Sequence, residues 1–344
     1  MVMAKGFISA RELSAGFHDD VIRPLLGEIP YAAGLLGWGS DVLGYDTERS
    51  TDHGWGPRLQ VLVDATEVER VRELIDGHLP TQYRGHDVRF GWDAQEPVNH
   101  IGVKTVGDWL TGQLGRDVGD GMTTEDWLVT PQQELLGVVA GPVYADDGRL
   151  QRVREALTWY PDEVWRWLLA CQWTRIAQEE AFVQRTAEVG DDLGSRIVAA
   201  RLTRDLMRLA LLMARTYAPY MKWLGTAFAR LGHPDGLDRD LADVLNAATS
   251  KEREEALTTA YEKVARRHNE LGITEYVDPT PRPYFDRPAM VLAAGRFTEA
   301  CLATVEDPWL RGLELVGSID QFTDSTDLLS NPAAYRRLAT MYRK

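Results

Sequence analysis

Cysteine is nearly absent from this 344-residue chain, which contains only Cys171 and Cys301. Neither stands in a Cys-x-x-Cys or Cys/His spacing, so a zinc ribbon and a disulfide framework are both excluded. Each lies in an apolar, helix-like segment and is expected to be an inert buried thiol. Positive charge is also scarce: 38 Lys and Arg stand against 52 Asp and Glu, a formal net charge of −14. That balance argues against a surface that coats nucleic acid, although a local basic pocket is compatible with it. Long hydrophobic runs are missing too. Even a run such as Leu209-Ala210-Leu211-Leu212-Met213-Ala214 is far short of a membrane span, and the first twenty residues hold no apolar signal-like core. The expected location is therefore the cytoplasm, with no membrane partner. With 44% hydrophobic and 26% charged residues, the composition is that of a globular protein, and the length suits a large core and two domains.

What is present concentrates in residues 34 to 64, GLLGWGSDVLGYDTERSTDHGWGPRLQVLVD. An apolar run ends in Gly39-Ser40-Asp41. Ser50-Thr51-Asp52-His53 then leads through Gly54-Trp55-Gly56-Pro57 into the strand-like Leu59 to Val63. A Gly-Ser turn lets backbone N–H groups approach phosphate oxygens closely, because glycine has no Cβ. A nearby carboxylate pair would hold Mg²⁺ against the same phosphates. The arrangement resembles the polymerase-β-type nucleotidyltransferases, whose carboxylates come as Asp-x-Asp or Asp-x-Glu after the turn. The resemblance implies Gly39 and Ser40 as nucleotide-binding residues and Asp52 as catalytic residue and metal ligand. The second carboxylate is replaced by Gly54, so Asp41 or Asp46 would supply the missing charge. For a third carboxylate, Asp93 and then Asp64 are the positional candidates, though either reads more simply as a turn residue.

The segments GSDVLGYDTERSTDHGWGPR (39 to 58), WYPDEVW (159 to 165), LACQWTRIAQEE (169 to 180), GDDLGSRIVAARLTRDLMRL (190 to 209), YAPYMKW (217 to 223) and GSIDQFTDSTDLL (317 to 329) are similar to those of the DUF4037 family of bacterial proteins. That resemblance implies a nucleotidyltransferase-like N-terminal region. Relatives often read Asp-His-Asp where this chain reads Asp52-His53-Gly54.

Residues 8 to 26 predict an opening helix, with Ser9 as N-cap and Leu13, Phe17, Val21 and Leu25 on one face. A helix over 67 to 75 and strands at 88 to 90 and 101 to 106 complete a small mixed sheet with its cover. From Trp109 onward helices dominate, interrupted by a turn-rich stretch at 141 to 148. Residues 161 to 187 form a helix with a Trp-rich stripe, read as core. In the next helix, 193 to 216, Arg201, Arg204, Asp205 and Arg208 recur at spacings of three and four. Beside a phosphate site Arg204 and Arg208 would bind it bidentately; the plainer reading is a solvated face with an internal Asp-Arg pair. Pro219 bends the chain at YAPYMKW, where Lys222 is a candidate phosphate contact and Tyr217 and Tyr220 are candidate substrate contacts. The run Lys251 to Glu255 reads as a solvent-exposed face. Gly317-Ser318 lacks a following strand and is not read as a second nucleotide turn.

The expected fold is thus α+β: a small mixed-sheet nucleotidyltransferase-like domain over 1–110, followed by a larger all-helical domain over 111–344. The expected function is transfer of a nucleoside monophosphate from a nucleoside triphosphate with Mg²⁺, in a cleft between the domains. The alternative is a nucleotide- or metabolite-binding protein that keeps the fold without transfer. The acceptor is open, and the acidic balance suits a cationic small molecule better than RNA. A helical-ribonuclease reading is set aside, because neither His233 nor His268 has an Arg at the required spacing before it.

Overall fold

The computed structural model describes residues 7–52, 55–91, 96–287 and 289–343, the side chain of Asp52 excepted. Helix α1, Ala10–Phe17, begins as its sequence dictates: the Ser9 hydroxyl accepts the Glu12 N–H at 3.3 Å. The helical path then continues through a wider π-type turn, His18–Ile22, into Arg23–Leu26 and stops at Gly27, φ +55°. The wide turn inserts one extra residue, so the buried stripe is Leu13, Phe17, Ile22 and Leu26 rather than the expected Leu13, Phe17, Val21 and Leu25.

Five short strands form one mixed sheet: β1 Ala32–Gly34, β2 Arg58–Leu62, β3 Arg89–Phe90, β4 Val98–Lys104 and β5 Val143–Ala145, in the order β3-β4-β2-β1-β5. β2 and β4 run parallel, pairing Arg58 with His100, Gln60 with Gly102 and Leu62 with Lys104. The other neighbours are antiparallel. Alternation along β2 and β4 sends Leu59, Val61, Ile101 and Val103 to one face. There they pack with Phe17, Ile22 and Leu26, and with Val71 and Ile75 of helix α3, Val68–His78. Between β1 and β2 lies a one-turn helix, α2, Ser40–Leu43. After β4 comes α4, Val106–Leu114, capped by Thr105. β5 falls in the stretch expected to be turn-rich; three edge residues with a register shift opposite Ala33 and Gly34 leave no readable pattern.

The chain divides into two compact units. The first gathers Met1–Thr123, Gln133–Thr158 and Ser330–Arg337, and the second Thr124–Gln132, Trp159–Leu329 and Leu338–Lys344. The first unit therefore reaches past residue 110, because β5 completes its sheet and Tyr335 is buried with its hydroxyl 3.4 Å from the Gln113 carbonyl.

The second unit is built of helices: α5 Asp162–Glu179, α6 Asp192–Met213, α7 Met221–Arg230, α8 Leu237–Asn246, α9 Ser250–Glu270, α10 Gly295–Ala303 and the short α11 Ile319–Phe322, among smaller pieces. α5 buries Trp165, Trp167, Leu168, Trp173 and Ile176 around nearly its whole circumference, as expected of a central helix. The predicted continuation to residue 187 breaks at Glu180, whose carboxylate accepts the N–H groups of Leu292, Ala293 and Ala294. α9 opens with a capping box, Thr249 and Glu252. Its expected exposed run needs correction at Arg253, which is 1% exposed. Arg253 heads the buried stripe Leu257, Ala260, Tyr261 and Val264, and it pairs with Asp192 and donates to Ser195. Among the described residues no helix is long and apolar enough to cross a membrane.

Candidate functional site

The Gly-Ser turn is shaped by its glycines. Gly37 and Gly39 take φ of +99° and +136°, which L side chains rarely adopt. A Cβ at Gly39 would lie 2.2 Å from Asp41 Oδ1. The turn is held by backbone bonds, Leu35 N–H to Pro142 O at 3.0 Å and Gly37 N–H to Gly137 O at 2.9 Å. Arg11 adds donations to the carbonyls of Asp41, Val42 and Ala140.

Asp41 does not stand open to a metal. Arg58 Nη2 lies 2.8 and 2.7 Å from its two oxygens, and both side chains are less than a fifth exposed. Asp46 accepts the Ala10 N–H at 2.7 Å at the start of α1. Asp52 ends a 3₁₀ turn, Glu48–Asp52, before β2 begins; its side chain, His53-Gly54 and Asp93 lie outside the described residues. Asp64 pairs with Arg149 at 3.2 Å. Among the described residues no group of three or more His, Cys, Asp or Glu side chains could hold a metal ion. The expected Mg²⁺ ligand, Asp52, thus has its side chain outside the described residues, while Asp41, Asp46 and Asp64 are each engaged by a protein partner.

What the turn adjoins is a cavity of about 450 Å³ on the face of the sheet opposite the apolar core. Its lining includes Gly37 and Trp38 from the turn, Arg58 and Gln60 from β2, Asn99, His100 and Lys104 from β4, and Trp109 and Gln113 from α4. Strand alternation places these polar side chains here, with Arg58 beside His100 and Gln60 beside Gly102. The Gln60 side chain lies over Gly102, where a Cβ would meet Gln60 Oε1 at 2.1 Å and displace the amide. Arg58 also donates to the Trp38 carbonyl at 3.0 Å, while its buried Nε has no partner among the described residues. Lys104 is exposed and makes no ion pair among the described residues. His100 has its pKa lowered by burial, stacks on Phe90 at 4.1 Å, and donates Nε2–H to the Phe90 carbonyl at 3.0 Å. Beside the Arg58–Asp41 pair, the face thus presents Lys104 as a cation with no ion pair among the described residues. Sequence reasoning missed Arg58, Lys104 and Trp38. The alternation of Arg58 and Gln60 with Leu59 and Val61 was the available signal for the first.

The remaining candidates belong to the helical unit. Arg204 pairs with Asp324 at 3.1 Å. Arg208 donates to the Asp320 carbonyl at 2.6 Å, and burial lowers its pKa. Asp205 pairs with Arg175 at 3.3 Å and Arg201 with Glu179 at 3.1 Å. The arginine row is consumed by carboxylates and carbonyls of its own unit. Tyr217 is buried, 4.7 Å from Trp159 and edge-on to Tyr160 at 5.3 Å, and burial raises its pKa. Tyr220 accepts the Trp223 indole N–H at 2.8 Å. Lys222 is exposed, with Nζ 5.0 Å from the Trp223 ring centre.

Among proteins with curated descriptions none matches the chain. Among solved structures, the crystal structure of a nucleotidyltransferase-like protein from Exiguobacterium sibiricum 255-15 aligns with 11% identity and a TM-score of 0.35, covering 86% of this chain and 91% of that one. A likeness that loose carries no weight for chemistry. The family described as Domain of unknown function (DUF4037) matches residues 127–224, a stretch that includes the WYPDEVW, LACQWTRIAQEE, GDDLGSRIVAARLTRDLMRL and YAPYMKW segments but not the Gly-Ser turn. The likeness to DUF4037 is thus to residues 127–224, less than a third of the chain.

Proposed function

We propose that the first unit binds a small phosphate-bearing ligand, of the nucleotide or nucleotide-like class, in the cavity on the polar face of its sheet, without transferring a nucleotidyl group. The observation that carries this reading is the pair Arg58 and Gln60 on the cavity side of β2, the strand that follows the Gly-Ser turn. A carboxylate pair there would be silent without a metal, whereas the Arg58 guanidinium, its charge offset by Asp41, still offers N–H donors to a phosphate. Lys104, two residues beyond Gly102 on the neighbouring strand, adds a cation with no ion pair among the described residues, and the Gln60 amide makes no hydrogen bond among them. The cavity volume falls in the usual range of about 300–1,000 Å³ for small-molecule sites. Asp41 holds Arg58 in place, and neutral His100 keeps its ring without competing for the charge. Mg²⁺ would enter only as a counter-ion already carried by the ligand.

Calorimetric titration of the full chain with ATP and inorganic tripolyphosphate, with and without Mg²⁺, tests the reading. Binding should occur without Mg²⁺ and weaken about ten-fold or more in Lys104→Met, the loss of one charge-assisted contact. Absence of binding to every phosphate ligand would remove the proposal. Binding that requires Mg²⁺ and vanishes in Asp52→Ala would restore the transferase reading in its place.

A further inference from the structure

Trp38 is 62% exposed, although every residue from Ala32 to Gly37 is buried. An indole left in water forgoes the burial of a large apolar surface, so its exposure calls for a reason. Its backbone is not loose. The flanking glycines are fixed at positive φ, Gly37 N–H is bonded to the Gly137 carbonyl, and the Trp38 carbonyl accepts from Arg58. The ring is therefore presented at the edge of the cavity from a pre-ordered segment, and a ligand that uses it pays little to order the backbone. The guanidinium that holds the Trp38 carbonyl also lines the cavity, so ring platform and phosphate cation are one hydrogen bond apart.

We infer that Trp38 is a stacking platform for a planar aromatic ring, which makes the ligand of the cavity a nucleotide rather than a bare polyphosphate or a sugar phosphate. The inference rests on the phosphate reading of the same cavity. Stacking uses the π-face that every base possesses, so Trp38 selects for the presence of a base and not for its identity. The Gln60 amide, without a hydrogen bond among the described residues and able both to donate and to accept, is placed to meet the polar edge of the ligand.

Titration of the full chain and of its Trp38→Ala and Trp38→Phe variants with ATP and with inorganic tripolyphosphate separates the two ideas. Tripolyphosphate should bind all three proteins alike. ATP should bind Trp38→Ala about ten-fold or more weakly than wild type, with Trp38→Phe restoring most of the loss, the size expected for one stacked base. Equal ATP affinity in wild type and Trp38→Ala, with tripolyphosphate still bound, overturns the stacking role and leaves the phosphate site standing. Failure of the wild type to bind either ligand overturns both.

Discussion

His268 shows what burial does to a single titratable side chain. It is fully buried, accepts the Trp173 indole N–H at Nδ1 (3.1 Å) and donates Nε2–H to Thr274 Oγ1 (3.2 Å), a pattern only the neutral ring can satisfy. Burial pushes its pKa down to about 4. The unfolded chain then binds a proton between pH 6.5 and 4 that the folded chain does not. The contribution is complete above pH 6.5 and is lost as pH falls toward 4, roughly 3 kcal/mol across the window. Glu180 and Asp320, raised by burial to about 7 and about 6, act with the opposite sign, so the raw pH profile is a sum. The difference between wild type and His268→Leu isolates the histidine. Urea midpoints measured from pH 7.5 to 4.5 should fall more steeply in the wild type than in the variant, and parallel profiles would contradict the assignment. A histidine in a helix is plain in the sequence; its neutrality is not, because that depends on Trp173, 95 residues away.

At the scale of elements, α6 illustrates how one face can hold pairings of very different worth. Arg204 and Arg208 are one turn apart, yet Asp324, the partner of Arg204, is mostly solvated, while Arg208 is turned to a backbone carbonyl of α11 and lies near the Asp320 carboxylate. Arg204→Met should therefore cost under about 1 kcal/mol, as exposed ion pairs do. Arg208→Met leaves the Asp320 carbonyl unpaired and removes the cation beside a buried carboxylate, and should cost about 1–3 kcal/mol. Denaturant midpoints of the two variants decide the matter; equal losses would show that α11 is not held through Arg208. The spacing of the arginines was readable from sequence. Their pairing was not, since α11 follows α6 by more than a hundred residues and any phosphate site would have produced the same spacing. The same limit applies to the opening helix, whose stripe was shifted one residue by a π-type turn that periodicity of 3.6 does not encode.

At the scale of the whole molecule the chain interleaves its two units. The first unit recovers Gln133–Thr158 and Ser330–Arg337 after the second has begun. A fragment of residues 1–110 therefore lacks β5, which covers the outer edge of β1, and lacks Tyr335, which is buried beside α4. It also truncates α4 itself. Such a fragment should show no cooperative thermal transition and should aggregate through its uncovered edge, whereas the full chain melts cooperatively. A sharp melt of the 1–110 fragment would mean that the later segments are dispensable to the sheet.

By itself the sequence determined the α+β class, the cap at Ser9, the alternation of β2, the glycine turn at 37 to 40 and, among the described residues, the absence of a membrane-length helix, all local properties of spacing and side-chain chemistry. It also singled out the motifs of the DUF4037 match. Only the tertiary structure decided which charges are spent and which are available: Asp41 on Arg58, Arg204 and Arg208 on the 317–329 segment, Arg253 inside the helical core, and Lys104 and Trp38 left facing water at one cavity. The reason is that a charge or an indole has the same sequence signature whether or not a partner reaches it. Partners arrive from segments whose approach is set by the packing of the core and not by their neighbours in the chain.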